Sequence, residues 1–213
     1  MLHVHAFTFN AFQENTYVVY TDEGDAVVID PGCYEEAERQ EVDAFIAGKQ
    51  LHIQQVWLTH CHIDHVLGCY HFRIKHKASV CVPEHEIDVL ESVKAYAAPY
   101  GFPDYQPVKA DSLIRQTDTL VLGPYTFQVR FAPGHSPGHL VFYQPESKLV
   151  LGGDVLFNGS IGRFDLPGGD QAVLYQSIRE QLYTLPDDTT VYCGHGPTTT
   201  VGQEKQTNPF VQG

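Results

Sequence analysis

Thr59-His60-Cys61-His62-Ile63-Asp64-His65 is the stretch from which the fold and the chemistry of this chain can be worked out. It follows the apolar run Val56-Trp57-Leu58, which is typical of a buried strand. The segment from Val66 onward has the pattern of a helix. The stretch is therefore predicted to lie at a strand-to-helix turn, where side chains protrude from a rigid scaffold.

Four side chains of this stretch are of the types that bind metal ions in proteins. Alternate residues of an extended chain face the same way, so His60 and His62 can share one ion. Asp64 and His65 come from the first helical turn and are displaced far enough to hold a second ion. Zinc, iron and manganese all accept imidazole and carboxylate ligands. Because burying four such groups without partners is costly, we interpret the cluster as a metal site.

The remaining histidines and the cysteines have simpler explanations. Isolated histidines are interpreted as surface or strand residues, namely His3, His5, His76 and His85. Cys61 could act as a thiolate ligand, but strict alternation turns it away from its neighbours, and we favour a structural role. The odd number of five cysteines, with no CxxC pair, argues against a disulfide framework.

Composition limits the domain organisation and the partners. A chain of 213 residues with 43% hydrophobic residues can form a packed core, and we predict one domain over residues 1–213. A net charge of −13 argues against nucleic acid, since phosphate binding needs a basic face. No apolar run approaches the ~20 residues that cross a bilayer, and no signal-peptide pattern is present. We therefore expect a cytoplasmic monomer or small homo-oligomer without a nucleic-acid or membrane partner.

Periodicity predicts strands and helices in two similar halves. Predicted strands span residues 4–9, 15–20, 25–30, 53–58, 79–82, 119–122, 125–132, 140–143, 148–152 and 189–193. Predicted helices span residues 34–49, 65–76, 83–96 and 170–183. Residues 97–112 have a loop pattern, and their aromatics either shape a substrate wall or anchor the loop to the core. The predicted class is an α/β fold in which two mixed sheets stack, with helices on the outer faces.

Three more metal-binding side chains each follow a predicted strand and are flanked by glycine. They are His135 after Gly134, Asp154 after Gly152-Gly153, and His195 between Gly194 and Gly196. Glycine lets the backbone turn sharply and bring a side chain close to an ion. Because the ends of neighbouring strands converge, we expect all three to meet the first cluster in one cleft. His139 falls where the next strand begins and is interpreted as supporting the site rather than binding an ion.

The pattern His60-x-His62-x-Asp64-His65, followed by His135, Asp154 and His195, resembles the ligand pattern of the metallo-β-lactamase superfamily. Within it the sequence looks most like the short (type II) hydroxyacylglutathione hydrolases, also called glyoxalase II. Ile29-Asp30-Pro31-Gly32 and Gly159-Ser160-Ile161-Gly162-Arg163 belong to the same resemblance. It implies an αββα sandwich as the fold.

The resemblance also implies two divalent metal ions per chain, with zinc as the first candidate and iron or manganese as alternatives. The implied ligands of the first ion are His60, His62 and His135, and those of the second are Asp64, His65 and His195. Asp154 would bridge the two ions together with a water or hydroxide. Asp64 and Asp154 are also the candidate catalytic residues, as ligands with a secondary role in proton handling.

Two ions that share one water lower its pKa, so the bridging hydroxide can attack a thioester carbonyl. The expected substrate is a small-molecule thioester, S-(2-hydroxyacyl)glutathione, such as S-lactoylglutathione. A mononuclear iron persulfide dioxygenase is an alternative, since that enzyme needs only the equivalents of His60, His135 and Asp154. A lactone or ester hydrolase of the same fold is another. A non-enzymatic metal-stabilised protein is disfavoured, because structural sites are usually closed by four ligands.

Arg163 is the candidate substrate-binding residue. In the long glyoxalase II enzymes the resemblance aligns a glutathione-binding lysine with this position. A guanidinium can grip a carboxylate of glutathione through two hydrogen bonds. The alternative is an ion pair with Asp165 that only holds the loop.

Overall fold

The computed structural model describes residues 1–213, which form two compact units. The first unit comprises Met1–Ile114 and Leu122–Tyr125, and the second comprises Arg115–Val121 and Thr126–Gly213. Each unit has a hydrophobic core of its own. The expectation of one domain over residues 1–213 stays a prediction.

The sheet of the first unit has six strands that lie side by side in chain order. They are β1 (Leu2–Phe9), β2 (Glu14–Thr21), β3 (Asp25–Ile29), β4 (His52–Trp57), β5 (Ser79–Pro83) and β6 (Ser112–Ile114). The pairs β1–β2 and β2–β3 are antiparallel, whereas β3 to β6 run parallel. Ile29 lies opposite Trp57, so β3 and β4 end at the same edge of the sheet. Residues that follow these two strands are thereby neighbours.

Helices of the first unit connect the parallel strands. They are α1 (Glu36–Lys49), α2 (Ile63–Val66), α3 (Cys69–His71, continued by a π-helical turn Phe72–His76) and α4 (Ile87–Tyr96). A reciprocal capping box between Glu35 and Glu38 begins α1, and its apolar positions Val42 and Ile46 are buried in the core. Packing of this apolar face, more than helix propensity, holds α1 in place.

The helix predicted over residues 65–76 is interrupted, so the prediction of one continuous helix is wrong. The break lies at Gly68, whose N–H donates to the carbonyl of Pro31 at 2.7 Å. A Cβ atom on Gly68 would lie 2.5 Å from Cys33 Sγ. The chain therefore packs closely against the turn after β3, and this contact replaces the regular helical pattern.

Aromatic residues of the 97–112 segment anchor it to the first core. Phe102 and Tyr105 are buried, and the Phe102 ring lies 4.9 Å from that of Tyr34. Tyr100 is exposed. The sequence left open whether these aromatics shape a substrate wall or anchor the loop to the core. The buried ones anchor the loop. The segment ends where β6 begins, at Ser112.

The second unit is built on a sheet with the order β14-β13-β10-β9-β8-β7. Its strands are β7 (Thr119–Leu122), β8 (Tyr125–Phe131), β9 (Leu140–Gln144), β10 (Leu149–Gly153), β13 (Thr190–Cys193) and β14 (Thr199–Thr200). A separate hairpin pairs β11 (Leu156–Phe157) with β12 (Ser160–Ile161). The helices are α5 (Gln171–Ser177, continued by a π-helical turn Ile178–Leu182) and α6 (Val201–Thr207).

Both sheets contain parallel and antiparallel pairs, so the predicted α/β class with two mixed sheets is confirmed. The elements absent from the prediction are short ones, such as β6, β11, β12 and β14. Two- and three-residue strands carry too few side chains for a readable alternation. None of the helices is both long and apolar enough to cross a membrane.

A glycine fixes how the loop after β8 packs on α5. Gly134 has a φ of +121°, and a Cβ there would lie 2.3 Å from the backbone nitrogen of Leu174. We predict that Gly134→Ala lowers the free energy of unfolding by about 2–4 kcal/mol, since it adds a backbone clash to an unfavourable φ. Gly101→Ala is the matched control, because Gly101 has a φ of +97° but open space around its Cβ position. That control should cost about 1 kcal/mol in urea unfolding, and equal losses would contradict the packing argument.

Candidate metal centre

The structure brings the four side chains of the 60–65 cluster together in the first unit. The ring centroid of His60 lies 4.8 Å from that of His62 and 4.2 Å from that of His65. His65 Nε2 lies 3.6 Å from a carboxylate oxygen of Asp64. His62 immediately precedes α2 in an extended conformation, while Asp64 and His65 belong to its single turn. This is the strand-to-helix geometry that the sequence predicts.

The buried carboxylate of Asp30 orients two of these imidazoles. Its Oδ1 accepts the N–H of Thr59 at 2.7 Å, and its Oδ2 accepts the Thr59 hydroxyl at 2.6 Å. The same Oδ2 lies 3.3 Å from Nδ1 of His65, and the Thr59 hydroxyl oxygen lies 3.0 Å from Nδ1 of His60. Since the only hydroxyl proton of Thr59 goes to Asp30, its oxygen accepts from His60 Nδ1–H. Both imidazoles therefore keep their Nε2 lone pairs for an ion.

Strand register explains why these residues meet. Asp30 follows β3 and Thr59 follows β4 at the edge where the two parallel strands end together. From the sequence, Asp30 enters only through the family resemblance, and Thr59 has no predicted role. A signal for them is present in the sequence. Asp30 ends the predicted strand 25–30, and the histidine cluster directly follows the next predicted strand, so parallel pairing of the two strands would bring them together.

A second acid, Glu14, lies buried behind this pair. It is the first residue of β2, whose residue Tyr17 pairs with Ile29, so it reaches the same sheet edge. Glu14 Oε2 is 2.9 Å from the Thr16 hydroxyl, and Oε1 is 3.9 Å from His65 Nδ1. Burial raises the pKa of Glu14 well above its usual range. A Cβ on Gly32 would lie 2.0 Å from Glu14 Oε2, which explains the glycine of the turn after β3.

Cys61 is part of the apolar core rather than of the cluster. It is fully buried among core residues, and its backbone N–H donates to Glu86 at 2.9 Å. Burial raises the pKa of its thiol well above the usual range. The structural role favoured from the sequence is confirmed. All five cysteines are buried, and none of them forms a disulfide bond.

In the second unit the structure brings His135, Asp154 and His195 together. The parallel strands β10 and β13 end side by side, with Gly153 opposite Cys193, and so deliver Asp154 and His195 to one edge. Asp154 Oδ2 lies 3.4 Å from Nε2 of His195 and 3.5 Å from Nε2 of His135. One carboxylate oxygen is thus shared by two imidazoles.

Backbone groups orient this second set. Nδ1 of His135 donates to the carbonyl of Arg163 at 2.7 Å, which leaves its Nε2 for an ion. The β11–β12 hairpin brings Gly162 so close to Asp154 that a Cβ would lie 1.9 Å from the Asp154 carbonyl oxygen. His139 Nε2 accepts the backbone N–H of Asp154 at 3.0 Å, so His139 supports the site, as interpreted from the sequence.

The Arg163 side chain lies in an exposed ion pair. Its guanidinium donates to both carboxylate oxygens of Asp165, at 2.7 and 2.9 Å. These hydrogen bonds lower the pKa of Asp165. The two side chains are 60% and 64% exposed, so the pair contributes little to stability.

The donor chemistry of both sets fits divalent transition metals. Imidazole nitrogen with carboxylate oxygen suits zinc, iron and manganese, and partners on Nδ1 are typical of histidines that bind metal. A structural hydrogen-bond network would not need several Nε2 atoms grouped around carboxylate oxygens. Each unit therefore carries a group of side chains that is suited to binding a metal ion.

Comparisons with known proteins identify the class. The chain belongs to the metallo-beta-lactamase superfamily, whose sequence profile matches residues 9–195, and it is a metal-dependent hydrolase of that fold. It is 36% identical to a Haemophilus influenzae protein named hydroxyacylglutathione hydrolase GloC, over 99% of this chain and 98% of the relative.

Two solved structures are also similar over their whole length. The structure titled BLEG-1 B3 metallo-beta-lactamase superposes with a TM-score of 0.90 at 35% identity, over 99% of this chain and 100% of that one. The structure titled TTHA1623 in a di-iron-bound form gives a TM-score of 0.84 at 38% identity, over 98% and 100% of the chains.

The relay from Asp30 through Thr59 to His60 can be tested by one substitution. We predict that Thr59→Val, which keeps the shape but removes the hydroxyl, weakens metal affinity by about 10- to 100-fold. The measurement is metal content after dialysis against a graded series of chelator concentrations. Thr207→Val is the control, because the Thr207 hydroxyl bonds only within α6. Equal metal retention in both variants would contradict the relay.

Proposed function

We propose that this chain hydrolyses thioesters of glutathione with 2-hydroxy acids, S-lactoylglutathione being the first substrate to test. The observation that carries the proposal is the pair of ligand sets, in which Asp154 contacts two imidazoles through one oxygen. The similarity to a relative named hydroxyacylglutathione hydrolase supports the choice of substrate.

We propose two ions per chain, zinc being the first candidate and iron or manganese the alternatives. One ion would be held by His60, His62 and His135, and the other by Asp64, His65 and His195. Asp154 would bridge them, which is consistent with its position between His135 and His195. Two such ions would supply an acidified water and polarise the thioester carbonyl.

The residues of the chain then have separate tasks. Asp30 and Thr59 hold His65 and His60 in the tautomer that binds metal through Nε2, and the Arg163 carbonyl does so for His135. As ligands, Asp154 and Asp64 would also accept and return the proton that is released when water attacks. Neither carboxylate needs to be a strong base for this task.

We further propose a cytoplasmic location, with a small-molecule thioester as partner and neither nucleic acid nor a membrane. The net charge of −13 supports this view, because anionic polymers and anionic lipid surfaces would be repelled. A monomer or small homo-oligomer is the proposed state.

The decisive experiment measures metal content, thiol release and oxygen uptake on the same preparation. We expect two transition-metal ions per chain, free thiol from S-lactoylglutathione and no oxygen consumption. Asp154→Ala should lose the activity and bind fewer ions, because it removes the proposed bridge. The control is Asp188→Ala, at an exposed acid that pairs with Lys148.

Other outcomes separate the competing functions. A single iron with oxygen uptake on glutathione persulfide would replace the hydrolase by a dioxygenase. Hydrolysis of a chromogenic cephalosporin, but not of the thioester, would favour a β-lactamase, as the name of one similar structure suggests. Hydrolysis of a lactone or simple ester, but not of the thioester, would make the protein a lactone or ester hydrolase.

Arg163 is proposed to attract a carboxylate of glutathione, and a pair of variants tests it. Because this contact would be equal in ground and transition states, Arg163→Ala should raise KM about 10-fold and leave kcat unchanged. Asp165→Ala frees the guanidinium from its ion pair, so KM should not rise. If both variants instead lower kcat and thermal stability alike, the pair only holds the loop.

A further inference from the structure

The first unit contains a second group of metal-ligand side chains that the proposed hydrolase site does not use. Nε2 of His71 and Nε2 of His76 lie 3.0 and 2.7 Å from the same oxygen of Asp43. The three ligand atoms all lie within 4.8 Å of one another. We propose that Asp43, His71 and His76 form a separate zinc site.

The backbone of α3 is built in a way that creates this group. In an α-helix, residues five apart are turned by about 140° from each other and do not share a face. Residues Phe72–His76 instead form a π-helical turn, closed by the N–H of Lys77 on the carbonyl of Phe72. This turn puts His71 and His76 on one side, with ring centroids 5.8 Å apart. Single π turns occur frequently at functional sites.

From the sequence, His76 is interpreted as an isolated surface or strand histidine, and no role is assigned to His71. Their five-residue spacing matches no α-helical face, and Asp43 lies on α1, far away in the chain. Only the structure shows that the three side chains meet.

The ligands are in a suitable state for zinc. Their side chains are only 13–15% exposed. Burial lowers the pKa of His71, which favours the neutral, metal-binding imidazole. Burial acts to raise the pKa of Asp43, but hydrogen bonds from Lys75, His76 and His71 outweigh it and hold the pKa below its usual value. The carboxylate is therefore charged.

The geometry leaves room for the ion and a path to it. Ligand atoms of a tetrahedral zinc lie about 3.3 Å apart, so small side-chain rotations suffice to centre an ion. A pocket of about 340 Å³ is lined by residues that include Tyr34, Arg39, Tyr70, His71 and Lys75. It gives an ion access to His71, and solvent can supply the fourth ligand.

Lys75 defines the competing explanation, in which Asp43 simply accepts three hydrogen bonds. Its Nζ lies 2.7 Å from Oδ2 of Asp43, whereas both imidazoles face Oδ1. Zinc would take Oδ1 and leave Oδ2 to Lys75, whose positive charge would weaken the binding. The two explanations thus differ in the effect of removing this charge.

The site would clamp α1 to α3. Asp43 belongs to α1, and α3 directly follows α2, which carries Asp64 and His65. Binding of an ion to the folded chain alone raises its stability by mass action. The proposed consequence is a zinc-dependent increase in the melting temperature of the first unit.

The test uses the enzyme with its own catalytic metals in place. Zn²⁺ is added in equilibrium dialysis, and bound zinc is counted by elemental analysis. We expect one further zinc per chain in the wild type. His76→Gln keeps a hydrogen-bond donor but removes the imidazole. It should lower the affinity for the additional zinc by more than about 10-fold, because losing even a residue that only supports a ligand costs at least that much. His52→Gln is the control, since His52 is an exposed histidine at the start of β4.

Two further measurements are the zinc affinity of Lys75→Gln and the melting temperature with and without added Zn²⁺. Lys75→Gln should tighten zinc binding, whereas a hydrogen-bonded cluster without a metal predicts no additional zinc in any variant. Added Zn²⁺ should raise the melting temperature of the wild type but not of His76→Gln. No additional zinc in the wild type, or equal binding by His76→Gln, would overturn the site. Hydrolase activity should be unchanged in His76→Gln, which shows that the catalytic metals are retained.

Discussion

The hydrogen bonds and close contacts of the buried Asp30 carboxylate hold together the candidate metal ligands of the first unit. The carboxylate accepts hydrogen bonds from the backbone N–H and the hydroxyl of Thr59, and it lies close to Nδ1 of His65. It therefore connects the ends of β3 and β4. A buried charge is tolerated only when it is well paired, and these donors provide that. Burial, together with the nearby Asp30 carboxylate, raises the pKa of Glu14, which lies behind the same imidazole. One carboxylate thus contacts both the residue that follows β4 and the imidazole of His65.

The second unit solves the same problem with a different acceptor. His135 is oriented by the neutral carbonyl of Arg163, whereas His65 faces the carboxylate of Asp30. A carboxylate partner makes an imidazole a more basic ligand than a carbonyl partner does. His65 is therefore the more basic ligand of these two imidazoles.

Much of the fold, and the grouping of candidate ligands within each unit, could be predicted from the sequence, because strong periodicity and clustered histidines are local signals. The long strands, α1 and the 60–65 turn follow from these signals. The break at Gly68 depends on a contact with Pro31 that no periodicity reports. The π turn that pairs His71 with His76 is equally invisible, since it departs from the period on which helix prediction rests. Thr59 and Glu14 were missed because their roles arise from strand register.

Two glycines show why the packing around the candidate ligands cannot be predicted from a sequence pattern. At Gly32 and at Gly162 a Cβ would lie much closer than any non-bonded contact allows, 2.0 Å from Glu14 Oε2 and 1.9 Å from the Asp154 carbonyl oxygen. In both units, then, main chain rather than side chain packs against the acids of the site. Any larger residue would push the acid or its strand end out of place. In the sequence this close packing is visible only as a glycine. The reason for the glycine becomes clear only when the positions of the neighbouring strands are known.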